Sequence, residues 1–397
     1  MGKGKGKFAK TAPVAPVERI AYRFCGRPSE RDAILEAKTF GCCRYLWNRM
    51  LGDHNTLYRE IGAVPDNTPA DYKDLDECKW LNEVDSLALA NVQLNLNTAF
   101  SRFFKHVSGY PKFKSKKFSR NSYTTNAVYH KKKNGTVSCN ISLDASLGTL
   151  TLPKHKDPVM LHLHRSVRPG GTLKSVTVTL EPDGKYYYSI LMEYPKTVTV
   201  KQDPKTMIGL DMSLPKLYVD NNGHSPDAPK PYRKMEAKLA MEQRKLSRKK
   251  KGSRRYEKQR IRVAKLHAKA KHQRSDYLHK LSCALTDAYD LIAMEDLDMS
   301  AIKRSLRFGK SVSDNGWGMF VDMLTYKVER KGKRLVKIDR WFPSSKTCCH
   351  CGHIHKELTL SDRTYICPVC GHTMDRDKQA AVNILNEAIR MLQNPAV

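Results

Sequence analysis

Acidic residues are scarce in this chain. Forty Asp+Glu stand against 71 Lys+Arg over 397 residues, a formal +31, with a pI near 9.7. Such an excess suits a polyanionic partner and argues against an enzyme of small metabolites. Long hydrophobic runs are absent too: nothing approaches the roughly 18 uninterrupted apolar residues of a membrane-spanning helix, so no membrane partner is expected. The basic start MGKGKGKFAKTAPVAPV lacks an apolar h-region, so a secretory leader is not expected. Gly6 stands where a myristoylation motif requires Ser or Thr. No G-x-x-x-x-G-K-[ST], G-x-S-x-G or H-E-x-x-H occurs, which removes P-loop, hydrolase-elbow and zincin chemistry.

What is present reads as a globular protein, 40% hydrophobic and 28% charged, of roughly two to four domains by length. The eleven cysteines are an odd number. Cys25, Cys42, Cys43, Cys78, Cys139 and Cys283 are scattered, whereas Cys348, Cys349, Cys351, Cys367 and Cys370 crowd together. This is no disulfide scaffold, and a reducing compartment is expected.

After a basic, disordered tail of about 16 residues, VERIAYRF (17–24) alternates as a strand does. Segment 30–62 is expected to be helical with Ile34, Ala37, Phe40, Tyr45 and Leu46 on its apolar face. Segment 84–104 repeats that pattern through Leu87, Leu89, Val92, Leu94 and Phe100. GYPKFKSKKFSR (109–120) then forms a basic loop with interleaved aromatics, fit for a phosphate backbone or simply solvated. From about 126 to 200 the period becomes two, and SVTVTLEPDGKYYYSILMEY spells a hairpin about a Pro-Asp-Gly-Lys turn. A small β-domain is expected, its first strand supplied by residues 17–24 and the helical segment inserted between.

A second, α/β unit begins near Ile208, with a short strand ending in Asp211. Residues 230–280 hold twenty Lys/Arg against four Asp/Glu, about half of the whole excess. They form a long basic helical pair with Ile261, Ala264 and Ala268 as its narrow apolar stripe. LIAME (291–295) is a buried strand ending in Glu295. Asp314 is expected to cap a helix with Trp317, Phe320, Leu324 and Val328 on its face, followed by the strand RLVKID and a last helix from Asp377.

Two clusters carry chemistry. Cys348, Cys351, Cys367 and Cys370 form C-x2-C-x15-C-x2-C, the spacing of a structural zinc site. Two residues between thiolates let both meet one tetrahedral ion, Gly352 and Gly371 permit the tight turn, and four thiolates leave no open position for catalysis. Cys349 is the spare; His350, His353, His355 and His372 are lesser candidates. Asp211, Glu295 and the pair Asp375 and Asp377 sit at strand and helix ends. There carboxylate oxygens could hold two Mg²⁺ ions about 4 Å apart for phosphodiester hydrolysis.

The ordered set IGLDMS, AMEDLDM, SDNGWGMF, DRWFPSSKTCCHCG, YICPVCG and DRDKQAAVNIL resembles the TnpB proteins of insertion sequences and their relatives, the miniature type V CRISPR effector nucleases. The match is strong over about 205–395; KTFGCCRYLWNRML, GYPKFKSKKFSR and EPDGKYYYSIL extend it more loosely. The resemblance implies a prokaryotic, nucleoid-associated RNA-guided DNA endonuclease that acts beside a short flanking motif with guide RNA and double-stranded DNA as partners, as a monomer or as a homodimer on one guide. The implied layout is a basic tail and first wedge strand (1–25), an α-helical recognition domain (26–125), a β-barrel-like wedge (126–204), an RNase H-like RuvC core (205–342), a zinc-ribbon insert (343–373) and a RuvC helix (374–397). Residue by residue, Asp211, Glu295 and Asp377 fall on the three acidic positions and would hold magnesium, with Asp375 the alternative third. Gln379 stands where the family usually has Asn, and Met212-Ser213-Leu214-Pro215 replaces a commoner Val-Gly-Leu-Lys. Neither removes an acid. A guided DNA-binding repressor and a transposition-associated strand-processing protein are the alternatives.

Overall fold

The computed structural model describes residues 16–133, 135–196, 203–213, 216–298, 316–359 and 361–393. The basic tail, Asp314 and Leu214-Pro215 lie outside them. The chain divides into two compact units at Lys196/Thr197, and among the described residues no helix is long and apolar enough to cross a membrane.

The first unit starts with β1 (Val17–Arg27) and runs through α1 (Glu30–Ile61), α2 (Pro69–Asp74), a 3-10 turn (Asp76–Glu83) and α3 (Ser86–Phe104). The strands β2 (Asn121–Asn126), β3 (Tyr129–Lys131), β4 (Val137–Cys139), β5 (Ser142–Asp144), β6 (Thr149–Thr151), β7 (Val159–His162), β8 (Thr172–Leu180) and β9 (Tyr186–Pro195) follow. The expected hairpin is β8–β9, paired from Thr172↔Glu193 to Leu180↔Tyr186. β1 lies beside β9 from Val17↔Pro195 to Gly26↔Tyr186, so the strands on either side of the helical insertion join one sheet in the order β2-β8-β9-β1-β7-β6-β5. β2 and β5 are its edges, so its hydrogen bonding makes an open seven-stranded sheet, not a closed barrel. β3 and β4 form a separate ribbon.

The face of α1 corrects one expectation. Ile34 is 61% exposed and Ala37 is exposed, while Asp32, Glu36, Thr39, Phe40, Cys43, Leu46 and Trp47 are buried. The reason is a buried polar cluster. Tyr188 donates its hydroxyl to Glu36 at 2.7 Å, His155 Nε2 lies 3.2 Å from the same carboxylate, and Asp32 accepts the backbone N–H groups of Lys156 and Asp157. Hydrogen-bonded polar groups can occupy a core that an apolar count assigns to carbon, although here both contacts fall on Glu36 Oε1 and Oε2 is left without a partner.

In the second unit β10 (Met207–Asp211), β11 (Val219–Asp220), β12 (Leu291–Glu295) and β13 (Arg334–Ile338) form a sheet ordered β11-β10-β12-β13. The last three strands run parallel, and β11 is an antiparallel edge. Crossovers between parallel strands need long connections. Here they are α4 (Pro231–Ser247) with α5 (Arg254–Ala288), and α6 (Trp317–Arg330). The period of two sorts the strands cleanly: Ile208, Leu210, Ile292 and Met294 pack with Leu278, Trp317, Phe320 and Leu324 on one face. Leu291, Ala293 and Ile338 pack on the other with Ile384 and Ala388 of α7 (Arg376–Gln393). The stripe of α5 is also rotated from expectation. Gln259, Val263, Ala270 and Leu278 are buried, while Ile261, Ala264 and Ala268 are half-buried, because Gln259 donates to the Glu242 carboxylate at 2.6 Å and pins α5 to α4.

Candidate active site and metal centre

Asp211 is the last residue of β10 and Glu295 the last of β12, and the register Leu210↔Met294 sets the two side by side. Adjacent strands lie about 4.8 Å apart and paired residues share a face. That face belongs to α7, because Gly209, two residues before Asp211, has no room for a side chain there: a Cβ would lie 2.2 Å from the Ala381 carbonyl oxygen and 2.9 Å from Leu385 Cβ. From Gly209 to Asp211 the strand advances about 6.7 Å, and from Ala381 back to Asp377 the helix retreats about 6 Å. The strand ends therefore meet the first turn of α7, where Asp377 sits.

The electrostatics agree. Burial, followed by the charges of Glu295 and Asp377, pushes Asp211 up to about 7, against a partial offset from the Arg376 guanidinium; Asp375 contributes least. Burial also raises Glu295, and the Ser344 hydroxyl, donated at 2.6 Å, works in the opposite direction. Arg376 Nη2 lies 3.3 Å from Asp377 Oδ1. Asp375 is engaged differently: it accepts the Lys378 N–H at 2.9 Å and caps α7.

The loop after β13 braces this corner. Asn383 donates to the carbonyls of Ser344 and Thr347, both at 2.7 Å, and Gln379 to that of Thr347 at 2.9 Å. The departure at Gln379 thus has a structural role: its buried carboxamide ties α7 to the backbone just before Cys348. Gly209 and Ser344 were not singled out from the sequence. A Gly two residues before a strand-end Asp was the available signal for the first; none marked the second.

The four predicted cysteines converge. Their sulfurs all lie within 4.8 Å of one another, with Cys348 to Cys370 at 3.7 Å and Cys351 to Cys367 at 3.5 Å. Four sulfurs about 2.3 Å from one ion stand about 3.8 Å apart, so this donor set fits a tetrahedral thiophilic metal. The two halves are alike. Cys348 and Cys367 donate their N–H to the carbonyls of His353 and His372, and accept from Gly352 and Gly371, whose φ values are 75° and 71°. β14 (Thr364–Ile366) and β15 (Thr373–Asp375) complete the ribbon and lead into α7. No histidine joins the cluster; His372 Nε2 faces the spare Cys349 at 3.4 Å. Among the described residues no carboxylate trio converges as the cysteines do.

The basic elements lie where the sequence put them, with one refinement. In the 109–120 loop Lys114 turns inward over the Trp47 ring at 3.6 Å, and burial lowers its pKa. Lys112, Lys116 and Lys117 stay exposed with Phe113 and Phe118.

Three family descriptions match this chain: a probable transposase over residues 188–306, a Cas12f1-like TNB domain over 317–384, and a helix-turn-helix domain over 19–62. The last span forms β1 and the single long α1 here. The chain is 34% identical over 372 residues, 92% of its length and 88% of the relative's, to a putative RNA-guided DNA endonuclease of Streptomyces pristinaespiralis. It is 28% identical over 386 residues, 92% and 91% of the two chains, to the putative RNA-guided DNA endonuclease InsQ of Escherichia coli K12. Its fold is similar to that in a cryo-EM structure of a Cas12f1–sgRNA–target DNA complex, with a TM-score of 0.54 at 14% identity, covering 89% of this chain and 83% of that one.

Proposed function

Because the chain belongs to the TnpB-type family of RNA-guided DNA endonucleases, we propose that it cleaves DNA selected by a guide RNA, with Asp211, Glu295 and Asp377 as its catalytic carboxylates. The observation that supports this most is Asp211, half-buried at a strand end and held up to about 7 by the desolvation of its carboxyl and two neighbouring acids. A carboxyl so raised is poised to exchange its proton for a cation. Two Mg²⁺ ions held by these carboxylates would supply an activated water and stabilise the leaving oxygen.

The chain's own residues do the positioning. Asp211 lies within reach of the charges of Glu295 and Asp377, Ser344 fixes the Glu295 carboxylate, and Arg376 steadies Asp377. Asp375 is spent on the helix cap, which favours Asp377 as the third acid. The second unit then acts as a RuvC-type nuclease core, with the cysteine ribbon holding one structural Zn²⁺. The first unit supplies the wedge and recognition parts that grip guide and target. Guide pairing selects the sequence while the protein holds the heteroduplex by its backbone. The exposed lysines of the 109–120 loop and the basic α4–α5 pair supply the counter-charge.

In a plasmid assay with guide RNA and Mg²⁺, Asp211→Ala is expected to abolish cutting while RNA and DNA affinity stay near wild type. Undiminished cutting by that variant refutes the assignment. A wild-type protein that binds its target but never cuts would instead be the guided repressor.

A further inference from the structure

We propose that Trp341 is a stacking platform for an unpaired base of the DNA strand as that strand reaches the carboxylate site; this deepens the nuclease reading and rests on it. Trp341 is 85% exposed, whereas Trp47 and Trp317 are buried. An indole offers a large flat apolar face with one polar edge, the side-chain type enriched where proteins bind other molecules.

Its place is specific. β13 ends at Ile338, paired with Glu295 across the sheet, and the chain then turns tightly. The backbone N–H of Trp341 donates to Asp339 Oδ1 at 2.7 Å, that of Phe342 to the Asp339 carbonyl at 3.1 Å, and that of Ser344 to the Phe342 carbonyl at 2.8 Å. Phe342 packs inward beside the α7 face of the sheet. Trp341, its neighbour, is left outside on a backbone that the turn holds fixed. Three residues later Ser344 grips Glu295, and three residues of chain span at most about 11 Å, so the indole stands within a few nucleotides of the acids.

Its surroundings favour a nucleic acid strand. Lys337 and Arg340 both reach Asp296, at 3.4 and 3.7 Å, in half-exposed pairs that contribute little. Either cation can transfer to a phosphate at small cost, beside a flat ring on which a base can stack. Stacking of this kind tolerates any sequence, as a nuclease whose guide is exchangeable requires, and it needs a base free of its duplex. The nearby acids commit the platform to the DNA strand being cut, not to the guide.

Intrinsic tryptophan fluorescence of the full, zinc-loaded chain, with Mg²⁺ left out so that nothing is cut, tests this with oligo(dT) and oligo(U) probes. Subtracting the Trp341→Phe signal isolates Trp341. The expected result is quenching by oligo(dT), about tenfold weaker oligo(dT) binding for Trp341→Ala, and near-normal binding for Trp341→Phe, whose ring still stacks. No quenching, equal binding by the alanine variant, or quenching by oligo(U) alone overturns the proposal. The same titration on Asp211→Ala separates the two readings: a dead Asp211→Ala with an unresponsive Trp341 defeats only the platform. A responsive Trp341 in an Asp211→Ala protein that still cuts defeats only the assignment of the acids.

Discussion

Asp211 shows how much the fold invests in one side chain. Its carboxyl, raised from the usual range near 4 to about 7, binds a proton more tightly in the folded than in the unfolded chain. That contribution to stability is complete below the unfolded pKa and is lost as pH rises through about 7. The metal-free protein is therefore expected to melt at a lower temperature at pH 8 than at pH 6, and Asp211→Asn, which cannot ionise, to remove most of that difference. Mg²⁺ at pH 8 is expected to raise the wild-type melting temperature and leave the Asn variant nearly unmoved. Thermal melts at both pH values, with and without Mg²⁺, check this; parallel curves for the two proteins would sink it. The acid itself was legible, as a carboxylate ending an apolar run. Its shifted pKa was not, because it comes first from burial by the folded chain and then from two acids that lie 84 and 166 residues further along. Ser344, which tunes Glu295, had no marker at all, since a serine within FPSSK reads as a loop residue.

At the scale of elements, one missing Cβ and four sulfurs do most of the positioning. Gly209 lets the backbone of α7 rest on β10, so Gly209→Ala must push the helix away from the Ala381 carbonyl. Overpacking of this kind costs about 1–3 kcal/mol. The variant is expected to melt lower and to lose cutting far more than DNA binding, because Asp377 moves relative to Asp211; unchanged cleavage would show that the register does not matter. The ribbon's cysteines lie just before α7, so Cys367→Ser is expected to lower bound zinc and loosen the C-terminal segment. Metal analysis and hydrogen exchange would reveal it, and a fully protected, metal-free variant would defeat the zinc assignment. The ribbon was legible because its ligands are near neighbours in sequence, two residues apart within each pair. The buried face of α1 was not: Glu36 meets His155 and Tyr188, 119 and 152 residues away, and an apolar count cannot foresee a buried carboxylate that finds such partners.

For the whole molecule the excess of +31 is a statement about partners. The exposed Arg248, Lys250 and Lys251 between α4 and α5 are expected to sit on phosphates. Replacing all three with alanine should then flatten the slope of log affinity against log salt by about one per residue, with guide RNA affinity followed from 50 to 200 mM salt. An unaltered slope would mean that this basic segment is only solvated. By itself the sequence determined the charge, the α/β order of the second unit, the hairpin of the first and the cysteine quartet. Each of these is written in local spacing or in a sum over residues, which survive without knowledge of distant contacts. Only the tertiary structure decided that Asp211, Glu295 and Asp377 share one corner, that Gln379 and Ser344 brace it and that Trp341 stands in water beside it. Those facts depend on strand register and on the close approach of α7 to Gly209, and register is set by burial of a whole sheet face, a quantity that no short window of sequence contains.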